Sequence, residues 1–190
     1  MSKQILMRQV SSDKIYSVQE YIQHEWSASL RSEFINGQLF EMPGEQDINN
    51  EIAGNLYILF SMMLKTMGYF IYSHDIKVKI FGEYKYYYPD VFVTKEPKDE
   101  NNKYIKNEPE LIVEVVSESS QVNDYVDKFI DYTKIPSLLY YLIVEPETLL
   151  LTVYAKSDIG GWQAIKYTKP NDIVHLEKLE VSFTLKQVYQ

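Results

Sequence analysis

Two acidic residues stand inside otherwise apolar, strand-like runs, and that placement narrows what this chain can fold into. The runs are Tyr86-Tyr-Tyr-Pro-Asp-Val-Phe-Val-Thr94 and Glu110-Leu-Ile-Val-Glu-Val-Val-Ser117, and the acids are Asp90 and Glu114. The β-branched and aromatic content is that of buried strands. An unpaired carboxylate is costly to desolvate in such a setting. Two of them on adjacent strands repel each other unless a proton or a cation lies between them. A divalent metal meets that demand and can also activate water. A structural pair satisfied by backbone donors or a lysine meets it equally well.

The surrounding chain alternates between helical and extended patterns. Ser17-Val-Gln-Glu20 matches a capping box and predicts a short helix to about Trp26. Asn36-Gly37, between two short apolar runs, predicts a hairpin. From Asp47 to Met67 the apolar residues Ile48, Ile52, Leu56, Leu59, Met63 and Met67 recur at helical spacing, and Gly68 ends the pattern. Tyr69–Ile80 and Tyr86–Thr94 read as strands joined by a turn at Gly82-Glu83. Lys95–Pro109, charged and with two prolines, reads as an exposed loop. A helix is predicted over Gln121–Ile135, capped at Ser119 or Ser120 and stopped by Pro136. Its apolar side is Val122, Val126 (or Tyr125), Phe129 and Ile130. The strands Leu111–Val116 and Leu138–Val144 on either side make a parallel crossover. Two more strands flank Gly160-Gly161, and Leu185–Tyr189 forms a short terminal helix.

Composition sets the outer bounds. The 190 residues, 45% hydrophobic, fit one domain over 1–190, with 1–30 as an N-terminal extension carrying the short helix. No run approaches the ~18 apolar residues of a membrane span, and the first ten residues lack the core of a signal peptide. Absence of cysteine excludes disulfides and thiolate chemistry and fits the cytoplasm, the expected location. A net charge of −8 opposes broad attraction to nucleic acid without excluding a local basic strip or bound metal. Tyr86–Tyr88 and Tyr140-Tyr141 could stack bases, but packing is the favoured role. His24, His74 and His175 show no ligand spacing; His74-Asp75, at a strand, could touch the site, but a surface histidine is the favoured reading. Ser117 and Ser119 have no histidine base pattern.

Six segments in order carry a resemblance. They are Glu33–Met42, Gly54-Asn-Leu56, Pro89-Asp-Val91, Leu111-Ile-Val-Glu-Val-Val-Ser117, Asp124–Tyr132 and Tyr141-Leu-Ile-Val-Glu-Pro146. Each is weak alone. Together, from about Phe34 to Tyr189, the chain resembles the Uma-type family of restriction-endonuclease-like proteins, a domain of unknown function within the PD-(D/E)XK nuclease superfamily.

That resemblance implies an α/β (α+β) fold: a restriction-endonuclease-like mixed β-sheet flanked by helices, with added C-terminal strands and a metal site where two central strands diverge. It implies Asp90 and Glu114 as metal carboxylates, the Val115 main-chain carbonyl as a third ligand, and Mg2+ or Mn2+ as the ion. The superfamily motif has a lysine two residues after the second acid, where this chain has Val116. By the resemblance Lys128 on the next helix supplies it, although Asp124 and Lys128, four apart, also read as a surface ion pair. Relatives often carry a histidine before the Asn-Leu pair; this chain has asparagine there, with Glu51 as a subsidiary acid. The expected function is metal-dependent endonucleolytic hydrolysis of DNA, with catalysis by Asp90, Glu114 and Lys128. The alternative is a catalytically inactive nuclease-fold module for interaction or nucleic-acid sensing. A homodimer could form through Leu149–Val153 and Ile173–Phe183.

Overall fold

The computed structural model describes residues 14–42, 46–82, 84–95, 102–116 and 122–190, with only the backbone of 122–125. Glu83 of the expected turn, the cap at Ser119 or Ser120, Ser117, and the Asp124 and Tyr125 side chains lie outside the described residues.

Local chemistry builds the first elements. Helix α1 (Val18–Ser27) opens with a reciprocal cap: the Ser17 hydroxyl accepts from the Glu20 N–H at 3.2 Å, and the Glu20 carboxylate accepts from the Ser17 N–H at 2.8 Å. Asn36 (φ 50°) and Gly37 (φ 92°) turn β1 (Ser32–Ile35) into β2 (Gln38–Glu41). Positive φ at both central residues is the hairpin geometry that Asn-Gly favours. Helix α2 (Asp47–Leu64) passes into a 3-10 turn, Lys65–Met67, and stops at Gly68 (φ 85°). Its buried side is Ile52, Ala53, Leu56, Phe60 and Leu64, whereas Ile48 and Met67 are each 37% exposed. The helix is apolar over two neighbouring stripes. Tertiary contact selects the one in which the Phe60 ring meets Phe183 at 5.9 Å.

The extended segments give β3 (Phe70–Ser73), β4 (Lys77–Lys79), β5 (Lys85–Tyr87), β6 (Val91–Thr94), β7 (Ile105–Lys106) and β8 (Pro109–Val115). After helix α3 (Val122–Tyr132) come β9 (Tyr140–Glu145), β10 (Leu150–Lys156) and β11 (Trp162–Tyr167). The described residues form two mixed sheets, in the orders β2-β1-β5-β4-β7 and β11-β10-β9-β8-β6-β3. The two runs read from sequence as single strands, Tyr69–Ile80 and Tyr86–Thr94, are therefore each broken, and each break carries the chain from one sheet to the other. Pro89 causes the second break: it has no N–H for a ladder and holds Tyr88 extended. At the first, His74 takes φ 50°. The segment read as a loop contains β7, which pairs parallel to β4, Val78 opposite Lys106.

β8 and β9 are parallel, Leu111 opposite Tyr140, with α3 crossing between them as the sequence predicts. The buried side of α3 only partly matches the predicted one: Phe129 packs against the core as expected. Val126 and Ile130 are 51% and 49% exposed, while Lys128, Asp131 and Tyr132 are buried. The helix turns a polar face inward because its partners are side chains from distant strands.

Three cores result. One lies between α2 and the six-stranded sheet, and takes in β12 (Ile173–Leu176), β13 (Val181–Thr184) and α4 (Leu185–Val188). The second joins α3 to both sheets, Tyr132 packing with Val78 and Tyr87 of one and Phe92, Ile112 and Tyr141 of the other, and the third packs α1 on β1, β2 and β5. The strands expected to offer a dimer interface direct Leu151, Val153, Val174 and Phe183 into the first core. Among the described residues no helix is long and apolar enough to cross a membrane.

The two glycines on either side of this architecture test it. A Cβ at Gly37 would stand 2.8 Å from Ile15 Cγ2 at a φ of 92°, whereas a Cβ at helical Gly54 meets nothing within 4 Å. Gly37→Ala is expected to destabilise by about 1–3 kcal/mol and Gly54→Ala to stabilise by about 0.5–1 kcal/mol, read from urea unfolding midpoints.

Candidate active site

The antiparallel register of β6 on β8 pairs Phe92 with Ile112 and Val91 with Val113. Carried one residue further, it sets Asp90 across from Glu114. β6 ends there because Pro89 follows on the ladder, and the side chain of Asp90 takes over. The Val116 N–H bonds to the Val144 carbonyl on β9 at 2.8 Å, so the Val115 N–H faces the other way, where it donates to Asp90 Oδ2 at 2.6 Å. Asp90 is 4% exposed and Glu114 5% exposed.

Lys128 enters from α3. Its Nζ lies 3.2 Å from both oxygens of Glu114 and 3.0 Å from Glu33 Oε1. The Tyr132 hydroxyl, one turn along, donates to Glu114 Oε1 at 2.7 Å. Burial, and after it the Glu114 charge, push the Tyr132 phenol far above its usual range, so it stays a donor. The ring of Tyr87 sits 5.6 Å from the Lys128 ammonium. Asp90, Glu114, Lys128 and Val115 thus stand together. Glu33 is a member of the cluster to which the sequence assigns no role. Its signal was an acid in a four-residue strand beside the Asn-Gly turn.

Two further polar networks brace the cluster. Asp131, on the same helix, accepts from Lys85 Nζ at 2.8 Å on each oxygen, from the Tyr87 hydroxyl at 2.6 Å and from Lys134 at 3.0 Å. Burial alone would raise its pKa, but these donors outweigh it and hold the carboxyl below its ordinary value. On the other side Glu25 accepts from the Ser32 N–H at 3.0 Å and from the Tyr88 hydroxyl, and lies 3.5 Å from Lys77. Burial lowers the Lys77 pKa, with Glu25 opposing the shift. These contacts fasten α1 to the residue that precedes Pro89-Asp90.

The remaining sequence candidates fall elsewhere or change role. Glu51 is exposed on α2, which packs on the Val113 and Val115 face of β8, away from the face of Glu114. Tyr86, Tyr87, Tyr88, Tyr140 and Tyr141 are all buried and pack rather than line a groove. His175 bonds to Ser182 Oγ at 2.9 Å on the C-terminal hairpin. His74 is half-buried and stands beside the cluster, with Nδ1 3.9 Å from Asp90 Oδ1, so of its two readings the one near the site fits. An open recess of about 240 Å³ lies around Asp131, lined also by Ile35 and Ile130, and neither Asp90 nor Glu114 borders it. Among the described residues no three His, Asp or Glu side chains stand already clustered as ligands of an ion. The Lys128 ammonium holds the Glu114 carboxylate instead.

Comparison with known proteins places this geometry. The family model described as "Uma2: Putative restriction endonuclease" matches residues 18–186. The uncharacterized protein slr1290 of Synechocystis is 31% identical over 174 residues, 92% of this chain and 91% of that protein. A second uncharacterized Synechocystis protein, sll1609, is 33% identical over 158 residues, 82% of this chain and 89% of its own length. The fold matches a crystal structure described as a "putative nuclease belonging to DUF820" from Anabaena variabilis, with TM-score 0.75, 14% identity, and coverage of 92% of this chain and 97% of that one.

The Asp131 network gives a pH prediction. A carboxyl whose folded pKa is depressed stabilises the fold above its unfolded pKa of ~3.9, and that contribution disappears as pH falls through the folded value. Asp131→Ala also strands the partly buried Lys85 and is expected to cost about 3 kcal/mol at pH 7. The gap between wild type and variant in urea unfolding should narrow as pH drops below about 4.

Proposed function

The chain belongs to the Uma2 family, and on that footing we propose that it is a metal-dependent nuclease that hydrolyses phosphodiester bonds in DNA. The observation that carries this reading is the meeting of Asp90, Glu114 and Lys128 in one buried cluster. Asp90 and Glu114 would hold Mg2+ or Mn2+, with the Val115 carbonyl as a further donor. Carboxylate and carbonyl oxygens are the hard donors that such ions take. In a strand a residue's N–H and C=O point to the same side. The Val115 N–H reaches Asp90, so its carbonyl opens toward the same acid.

A bound ion of this kind supplies a water of lowered pKa and neutralises charge on the scissile phosphate. Lys128 would hold the attacking water and add positive charge opposite the developing anion. Tyr132, kept protonated, would orient Glu114, and Glu33 would draw the ammonium to the sheet. The net charge of −8 makes such local positive charge the means of holding a phosphate. Cutting both strands of a duplex calls for two sites, which a homodimer would provide.

One observation favours a second reading, a catalytically silent module. Lys128 lies 3.0–3.2 Å from two carboxylates, as a purely structural cation would. Calorimetry with manganese and a cleavage assay on DNA separate the two. Manganese binding and metal-dependent cleavage are expected in the wild type and in neither Asp90→Ala nor Glu114→Ala, with circular dichroism unchanged. Lys128→Met should keep manganese binding and lose about 100- to 1,000-fold in rate. Cleavage that survives in Asp90→Ala would rule the nuclease reading out. A folded wild type that binds manganese no better than Asp90→Ala would establish the silent module.

A further inference from the structure

Where two strands change sheet, the bend carries a residue that the proposed site does not use. The last pair before the bend is Ser73 with Val91, and the first beyond it is Val78 with Tyr87. Between them stand His74, Asp75, Ile76 and Lys77 on one strand, against Tyr88, Pro89 and Asp90 on the other. The extra residue is taken up in the bend between the two sheets, which re-aims the side chains it carries. His74 takes φ 50°, a conformation that residues with a side chain seldom adopt and that recurs at functional sites.

The ring it re-aims faces Asp90. Oδ2 of that carboxylate accepts from Val115, which orients the group so that Oδ1 faces His74 Nδ1 at 3.9 Å. That separation is too long for a hydrogen bond. Two donors of one octahedral ion, with bonds of about 2.1 Å, stand ~3 Å apart when cis and ~4.2 Å apart when trans. The observed separation lies nearer the second. The His74 side chain is 33% exposed, against 6% for Asp90, so an ion can reach the pair from solvent.

We propose that His74 is a ligand of the divalent ion held by Asp90, and that its nitrogen makes the site prefer manganese to magnesium. The inference rests on the metal reading of Asp90 and Glu114. Magnesium takes oxygen ligands and dehydrates reluctantly, whereas imidazole nitrogen suits transition ions. His74 thereby gives the cluster a selectivity that two carboxylates and a carbonyl alone do not.

Calorimetry with manganese chloride and magnesium chloride on the full chain tests it, using His74→Ala and His74→Asn with circular dichroism as the control for folding. Asparagine tolerates the left-handed backbone, so His74→Asn keeps the bend while replacing nitrogen with an oxygen donor. The wild type should bind manganese more tightly than magnesium. His74→Ala should lose about 10- to 100-fold in manganese affinity, and His74→Asn should narrow the gap between the two ions. Electron spin-echo spectroscopy of the manganese-loaded wild type should show nitrogen coupling that both variants lack. Suppose Asp90→Ala abolishes manganese binding while both His74 variants keep the wild-type affinities and spectrum. Then His74 is no ligand, and the metal reading stands without it. A folded wild type that binds neither ion overturns both.

Discussion

A single ammonium group joins three parts of this molecule that share no backbone ladder. Lys128 Nζ sits between Glu33 of the five-stranded sheet and Glu114 of the six-stranded sheet, and its own helix is the crossover between β8 and β9. Each of the three charges is buried. Desolvating such groups is costly unless they are paired and hydrogen-bonded, so the docking of α3 and the approach of the two sheets are bound to the same contact. Tyr132 and Asp131, one turn along the helix, extend it to Glu114 and to Lys85 and Tyr87 on β5. The apolar core beneath α3 supplies non-directional burial. The polar contacts decide which face of the helix turns inward.

That division explains what could be read from the sequence. The cap at Ser17, the Asn36-Gly37 turn, the stop at Gly68 and the crossover from β8 to β9 rest on local chemistry or on simple apolar runs, and each appears where the residues predict it. The breaks in the two long strand runs were less visible. Pro89 is a written signal, but the bend at His74 involves an ordinary residue held at φ 50° by its neighbours. In α2 the sequence allowed two adjacent apolar stripes, and only the C-terminal strands choose between them. In α3, among the described side chains, the predicted face holds only at Phe129, which packs on Tyr141, Tyr154 and Trp162, while Val126 and Ile130 face out, because hydrophobic periodicity cannot register a helix that buries a lysine and an aspartate.

The candidate site shows the same boundary. Asp90 and Glu114 were legible because acids inside apolar runs are anomalous in one dimension. Lys128 became visible only through the order of segments around it, since by spacing alone it matches a surface ion pair. Glu33, Asp131 and Glu25 were not legible. Each is an acid on a short strand or an amphipathic helix, where an exposed position is the ordinary expectation; Glu33 and Asp131 are buried and Glu25 half-buried, and each is held by a partner far along the chain.

Val116 then has a structural explanation. Side chains two apart on a strand share a face, so a lysine at that position would enter the space beside Glu114 that Lys128 already occupies from the helix. Two ammonium groups at one carboxylate would repel each other, and the side chain of Val116 is only 6% exposed. An apolar residue at 116 leaves that space to Lys128. The arrangement has a mechanical consequence. A lysine on β8 would be fixed by the sheet itself, whereas Lys128 is placed only as well as α3 is docked. Whatever charge this residue contributes at the site therefore depends on Asp131, Tyr132 and Glu33, none of which stands next to Asp90 or Glu114 in the sequence.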